Sequence, residues 1–405
     1  MSNQFHSLLA SPTQASLLSN LNLPPNEERA LISAAKEISQ AISLGFTALR
    51  AEVRQKKLDH DVPRPKFAIQ GSYIYGTMNA PAYPPAQQVD IDLGMYLPFS
   101  ALGNGQQPKT ATGYYFDAVT RILSEYIHHQ SKSWVLPPKD RQKSTCIRVV
   151  LSETTHVDIP LYAVPEGELN RIDESKMALL KQENEYPELL TNEEFYMDSL
   201  ALEAVTPDVI HMAHREEGWL PSDALVIRDW VKSQFRQMGK MIRPVNRFLK
   251  AWRDEVWREG GGPSSIFLLA HSLQSFPEKR DNLTHCDALK AVIEELPSVF
   301  QRPLLVPCPT TEDKYAKEDL RSRIDEKTQA DYQHEFDELR RQYMLAKTEG
   351  AVEANRLLVT LFGSRLPHDP SRIQVVDDAA ATVREIQSAT PDILPLHTTE
   401  RSTSG

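Results

Sequence analysis

Apolar residues recur at helical spacing from about Asn26 to Val53, where Leu31, Ala34, Ile38, Ile42 and Leu49 mark one face of a predicted helix. The charged stretch that follows, interrupted by Pro63 and Pro65, breaks it. From residue 66 the pattern changes to short apolar runs of strand length: KFAIQ, VDIDLGMYL, CIRVVL and HVDIPLYAV. A helical pattern, YYFDAVTRILSEYIHH, separates the second run from the third, so this part of the chain mixes strands with helices.

Beyond about residue 165 the chain reads as predominantly helical. SDALVIRDWVKSQFRQM opens with Ser222 as a candidate N-cap, and RPVNRFLKAWRDEVW carries Val245, Phe248, Leu249, Trp252 and Val256 on one stripe. GGGPSSIFLLAHSL begins a further helix. Between 312 and 346, Tyr332, Phe336, Leu339 and Tyr343 form a narrow stripe read as a packing face. The last stretch, SATPDILPLHTTERSTSG, is rich in Pro, Ser and Thr and reads as a polar tail ending in Gly405.

The full chain has 405 residues, enough for a large bilobal enzyme. With 45 basic and 55 acidic side chains its net charge is −10, which disfavours a long nucleic acid as partner but is compatible with small nucleotides that carry their own magnesium. No apolar run is long enough to span a membrane and the N-terminus has no signal-peptide pattern, so a cytoplasmic protein is expected. Cys146, Cys286 and Cys308 are odd in number and widely spaced, the pattern of reduced, buried thiols; a zinc site on His285, Cys286, Cys308 and another histidine is the sharper alternative.

The chemistry is concentrated between residues 67 and 98. Side chains alternate along a strand, so Asp90 and Asp92 project to the same side and repel each other unless a cation lies between them. Magnesium takes hard oxygen ligands and completes its shell with water and substrate phosphate. A third carboxylate, Asp158, lies in another predicted strand; pairing of the two strands would bring all three together. Upstream, Gly71 lets backbone N–H groups approach a phosphate and Ser72 adds a hydroxyl. Together these parts suit attack of a sugar hydroxyl on the α-phosphate of a nucleoside triphosphate.

The order GS, DID and VDIP resembles the polymerase β-like nucleotidyltransferase superfamily. The fuller strings QGSYIYGT, VDIDLGMYLP, HVDIPLYAVP and RFLKAWRD followed by GPSS are similar to the bacterial cGAS/DncV-like nucleotidyltransferases of CBASS anti-phage systems, particularly the DncV type. The similarity runs from about residue 30 to 290. It implies an α+β fold: a nucleotidyltransferase lobe built on a mixed sheet plus a helical lobe, with the active site in the cleft between them. The expected divisions are an N-terminal helical segment across the lobes (1–60), a catalytic core (61–165), a helical lobe (166–385) and a flexible tail (386–405).

What the resemblance implies for the site is residue by residue. Asp90, Asp92 and Asp158 are the catalytic and metal-holding aspartates, with Mg²⁺ as cofactor and Mn²⁺ as the alternative. Gly71 and Ser72 fall on the motif that holds the donor triphosphate, with Gln70 and Tyr75 flanking it near a base. Lys232 and Ser265, with Ser264, match positions reaching the triphosphate from the helical lobe, although Lys232 equally reads as a solvated helix flank and the serines as a helix cap. Arg148 is a candidate for base selection or a salt-bridged strand residue.

The implied activity is a cyclic dinucleotide synthase that joins ATP and GTP, closes the ring as 3′3′-cyclic GMP-AMP and signals to a cyclic-nucleotide-responsive effector protein. Some members also pass their C-terminal residue to a ubiquitin-transfer-like partner, which would make Gly405 a conjugation site. The alternatives are a family member making another cyclic di- or trinucleotide, an RNA nucleotidyltransferase that does not cyclise, and, from another class, an inactive nucleotide-binding scaffold.

Overall fold

A computed structural model describes residues 2–57, 62–99, 108–165, 210–221, 224–276, 283–308 and 316–376, together with residues 167 and 169. Ser222 and the tail with Gly405 lie outside the described residues. The predicted first helix is present as α1, Pro25–Gln55, with Pro25 in its first turn, where a missing N–H costs nothing, and Glu27 and Glu28 beside the positive end of its dipole. Leu31, Ala34, Ile38 and Ile42 of its predicted stripe are buried, as is Phe46, while Leu49 is half-buried.

A six-stranded mixed sheet lies under α1. Its strands are β1 (Lys66–Gln70), β2 (Val89–Pro98), β3 (Cys146–Val150), β4 (Thr155–Val164), β5 (His211–His214) and β6 (Gly218–Pro221). The spatial order runs β1, β2, β4, β5, β6, and β3 pairs with the first half of β4 on the edge whose second half takes β5. β2 and β4 are parallel, while the other pairs are antiparallel. Between β1 and β2 lies the short helix α2, Gly71–Tyr75, and between β2 and β3 lies α3, Pro108–His129.

Alternation along the strands divides the sheet into two faces. Val89, Ile91 and Leu93 of β2 and Val157, Ile159 and Leu161 of β4 pack with Phe46 of α1 and Phe116 and Val119 of α3 in one apolar core. The intervening residues, Asp90, Asp92, His156 and Asp158, are therefore turned to the opposite face, toward the second lobe.

That lobe is built from α4 (Ala224–Met238), α5 (Ile242–Val256), α6 (Ser265–Ser275), α7 (His285–Glu295), α8 (Glu326–Ala346) and α9 (Ala351–Phe362). Trp252, Phe267, Phe336, Tyr343 and Phe362 fill its core, each no more than 1% exposed; burial of side chains of this size contributes about 2–3 kcal/mol apiece. Phe336, Leu339 and Tyr343 of the predicted packing stripe are buried there, and Tyr332 stacks edge-on against Trp257. Phe5, Leu8, Leu9, Leu17 and Leu21 belong to this helical core, whereas Leu23 and α1 belong to the sheet core. The N-terminal segment thus contributes to both lobes. The described ends also meet, since Ser2–Gln4 pairs with Gln374–Val376.

Two features depart from the helical reading beyond residue 165. The β5–β6 hairpin extends the sheet, and a second hairpin, β7 (Leu305–Pro307) with β8 (Lys317–Asp319), is set into the helical lobe. β5 is four residues long and offers too little alternation to stand out in the sequence; the backbone of β4 beyond Pro160, left open where β3 ends, pairs with it.

Candidate active site

The register of the central strands sets the site. Asp90 lies beside His156, and Asp92 beside Asp158, across the parallel β2–β4 pair. Gln70 of β1 is opposite Asp92, and Arg148 of β3 is opposite Asp158. The strand pairing needed to bring the three aspartates together is therefore present.

At the end of β1 the chain turns sharply into α2 through Gly71, whose φ is +69°. A Cβ at this position would overlap Oδ2 of Asp92, so the turn and the carboxylate fit together only because residue 71 has no side chain. Ser72 and Tyr75 follow on α2. Gln70 is held between two tyrosines: its amide nitrogen donates to the Tyr96 hydroxyl, and its amide oxygen accepts from Tyr162 Oη at 3.3 Å.

These residues line one wall of a cleft of about 430 Å³ between the lobes. Gln70, Gly71, Ser72, Tyr75, Asp90 and Asp92 form the sheet side; Arg228 of α4, Asn246 and Lys250 of α5, Ser265 and Ile266 of α6 and Arg323 face them. Ser264 is exposed beside the cleft and caps α6, accepting from the Phe267 N–H at 3.3 Å. Ser265 Oγ accepts from Arg253 Nη1 at 3.2 Å.

Lys232 and Arg148 are not among the lining residues. Lys232 is half-buried on α4, where Ile227 and Arg228 are the residues that reach the cleft. Arg148 grips Asp158 instead, with Nε to Oδ1 and Nη2 to Oδ2 both at 2.8 Å. Lys143 Nζ donates a third bond to Oδ2 at 2.8 Å.

The carboxylates consequently differ in acidity. Burial pushes Asp92 up, and the charges of Asp90 and Asp158 add to the rise, to about 7. Burial also raises Asp158, but the hydrogen bonds from Arg148 and Lys143 outweigh it and hold the group at about 2. Asp92 thus resists ionisation unless positive charge arrives.

The donor set fits a divalent cation. Asp90, His156 and Asp158 each present a ligand atom, and these atoms lie within 4.8 Å of one another. His156 is 5% exposed and its Nε2 has no hydrogen-bond partner. Asp90 and Asp92, on the cleft wall, would hold such a cation against an incoming phosphate.

No sequence motif marks Lys250 as a site residue. It is 7% exposed, its ammonium donates to the Thr77 carbonyl at 2.8 Å, and burial, aided by the nearby Arg253, lowers it to about 8. The available signal was a lysine set between Leu249 and Ala251 in a stripe that must be buried. Arg323 comes from the region beyond residue 290, where no motif marked it; it pairs with Glu318 at 2.6 Å. Cys286, a member of the zinc alternative, is taken up by Lys347, whose Nζ lies 3.3 Å from its sulfur.

A mixed sheet that presents paired aspartates to a cleft, with a Gly-Ser turn on the same wall and a helical lobe facing it, is the architecture of the nucleotidyltransferase fold. Two family descriptions match the chain in succession: the nucleotidyltransferase domain of DncV-like cyclic GMP-AMP synthases over residues 65–162, and the C-terminal domain of cyclic GMP-AMP synthase over residues 239–374. Residues 65–162 thus carry a DncV-like nucleotidyltransferase domain, and residues 239–374 the C-terminal domain that goes with it in cyclic GMP-AMP synthases.

Among curated proteins, it is 31% identical over 256 residues to the cyclic GMP-AMP synthase of Vibrio cholerae serotype O1, covering 61% of this chain and 56% of that protein. It is 30% identical over 250 residues to the cyclic GMP-AMP synthase of Escherichia coli strain TW11681, covering 60% and 55%. The chain therefore spans little more than half the length of the curated relatives it matches. In fold it resembles Vibrio cholerae DncV crystallised with the linear intermediate 5′ pppA(3′,5′)pG, with a TM-score of 0.72 at 24% identity over 93% of this chain and all of that one. The helices described include none long and apolar enough to cross a membrane.

Proposed function

We propose that this protein is a cyclic dinucleotide synthase that joins ATP to GTP and closes the product as 3′3′-cyclic GMP-AMP, a second messenger for a downstream effector in anti-phage defence. The observation that carries this reading is the seating of Asp90 and Asp92 on the cleft wall beside Gly71 and Ser72. The name of the curated relatives, cyclic GMP-AMP synthase, supports this product, and ATP and GTP are the triphosphates that carry its two bases.

Each of the two transfers breaks one α–β phosphoanhydride bond, forms one phosphate ester to a ribose hydroxyl, and releases pyrophosphate and a proton. A divalent cation, Mg²⁺ in this reading, would supply charge neutralisation at the phosphates and a lower pKa for the attacking hydroxyl. Asp90 and Asp92 would hold that cation, with Asp158 behind them on the adjacent strand. Ser72 and the backbone of the Gly71 turn hold the triphosphate, and Lys250, Arg228 and Ser265 approach it from the helical lobe. Gln70 and Tyr75 stand near a base, where the ring of Tyr75 offers a stacking face.

The experiment is incubation of the purified chain with all four ribonucleoside triphosphates and magnesium, phosphatase digestion, and mass spectrometry beside the Asp90→Ala, Asp92→Ala double variant. A resistant product carrying one guanine and one adenine, absent from the variant, is the expected outcome. A different pair of bases would correct the substrates, and a product made equally by the variant would overturn the assignment of the site.

A further inference from the structure

His156 stands beside the aspartates in a geometry that nothing in their ordinary role requires. Its Nδ1 lies 2.9 Å from Gln88 Oε1. The Gln88 amide nitrogen donates in turn to the carbonyls of Ser152 and Glu153, each at 3.2 Å, which fixes Oε1 as the atom facing the ring. An amide oxygen only accepts, so the proton of the neutral imidazole sits on Nδ1 and the lone pair on Nε2. That lone pair is buried, has no hydrogen-bond partner, and lies 3.8 Å from Asp158 Oδ2, too far for a hydrogen bond.

A buried lone pair aimed at a carboxylate is unfavourable unless a cation lies between them. Asp158 retains one position for it, on Oδ1, where Arg148 Nε is the single donor; Oδ2 already accepts from Arg148 Nη2 and Lys143. The arrangement is that of a metal-binding histidine, which donates its other ring nitrogen to a carbonyl oxygen and is thereby held in tautomer and orientation.

We infer that Nε2 of His156 is a nitrogen ligand which, with Asp90 and Asp158, completes a mixed N/O site for a first-row divalent cation. The inference rests on the proposed metal-dependent reading of the cleft and deepens it. Magnesium prefers oxygen ligands, whereas affinity for sites containing imidazole increases along the first transition row. The imidazole therefore biases the site toward Mn²⁺ and its successors over Mg²⁺, without requiring nucleotide.

The test is Mn²⁺ binding to the full chain without nucleotide, followed by titration calorimetry and by electron spin echo modulation on protein labelled with ¹⁵N-histidine. Directly bound imidazole nitrogen is expected in the unlabelled echo spectrum, replaced by the ¹⁵N pattern on labelling. His156→Gln should abolish it and weaken Mn²⁺ binding by about 10-fold or more while changing Mg²⁺ binding by less than about 3-fold. The labelled wild-type spectrum does not depend on whether that variant folds. Absence of any nitrogen coupling, or unchanged Mn²⁺ affinity in a folded His156→Gln protein, would overturn the inference.

Asp90→Asn separates this from the broader proposal. If Asp90→Asn removes Mn²⁺ binding while His156→Gln does not, the aspartate site stands without the histidine. If nitrogen coupling is present but no nucleotide product forms, the ligand assignment stands and the synthase reading fails.

Discussion

Gly71 and Asp92 occupy each other's space so closely that the strand carboxylate sits where a side chain on the turn would be. The backbone there is also left-handed, at φ +69°. Gly71→Ala should therefore cost about 1–2 kcal/mol in backbone strain alone, and more through displacement of Asp92. The expected result is a lower Tm with a larger, separate loss of triphosphate binding. Near-normal binding in Gly71→Ala would show that the carboxylate does not need this turn.

Asp92 gives the metal-free protein a characteristic pH dependence. Its folded pKa of about 7 stands above the ordinary 3.8, so the folded state holds the extra proton. Stability from this group is fully present below about pH 4 and is lost as pH rises through about 7. Urea titrations between about pH 4 and 8 should show this decline in the wild type and a flatter profile in Asp92→Asn. Cation binding must release the same proton, so affinity should rise with pH up to about 7 and level off.

Asp158 behaves in the opposite sense. Its folded pKa of about 2 lies below the ordinary value, so its stabilising contribution is present above about pH 4 and disappears as pH falls toward 2. Arg148→Met leaves a buried carboxylate with Lys143 as its remaining strong partner and should destabilise by about 3 kcal/mol at neutral pH. The deficit should shrink on acidification. A deficit independent of pH would mean that Arg148 acts through packing alone.

Lys250 distinguishes triphosphate binding from metal binding. Lys250→Met removes a charged donor from the cleft and should weaken nucleoside triphosphate binding by about 10- to 100-fold, while Mn²⁺ affinity without nucleotide stays within about 3-fold. Calorimetry with triphosphate and with Mn²⁺ separates the two. Because burial lowers this ammonium to about 8, the folded state sheds its proton before the unfolded one, and stability from this group should rise between about pH 8 and 10.5.

What the sequence determined by itself was local. Two-residue alternation placed Asp90 and Asp92 on one face, the dipeptide Gly71-Ser72 marked a turn suited to phosphate, and the apolar stripes of α1, α5 and α8 identified their buried faces, except toward the helix ends, where Leu49 is half-buried and Val256 exposed. Each of these follows from the geometry of a single strand, turn or helix, and needs no knowledge of neighbours. The tertiary structure decided whatever depends on register between distant segments. Parallel pairing of β2 with β4 joined Asp158 to the other aspartates and brought His156 beside Asp90; antiparallel pairing of β3 turned Arg148 onto Asp158; and the approach of α5 placed Lys250 in the cleft where Lys232 had been expected. Pairing energies are spread over many residues and no single side chain encodes the partner strand, so a one-residue change of register would have left the composition intact and dispersed the site.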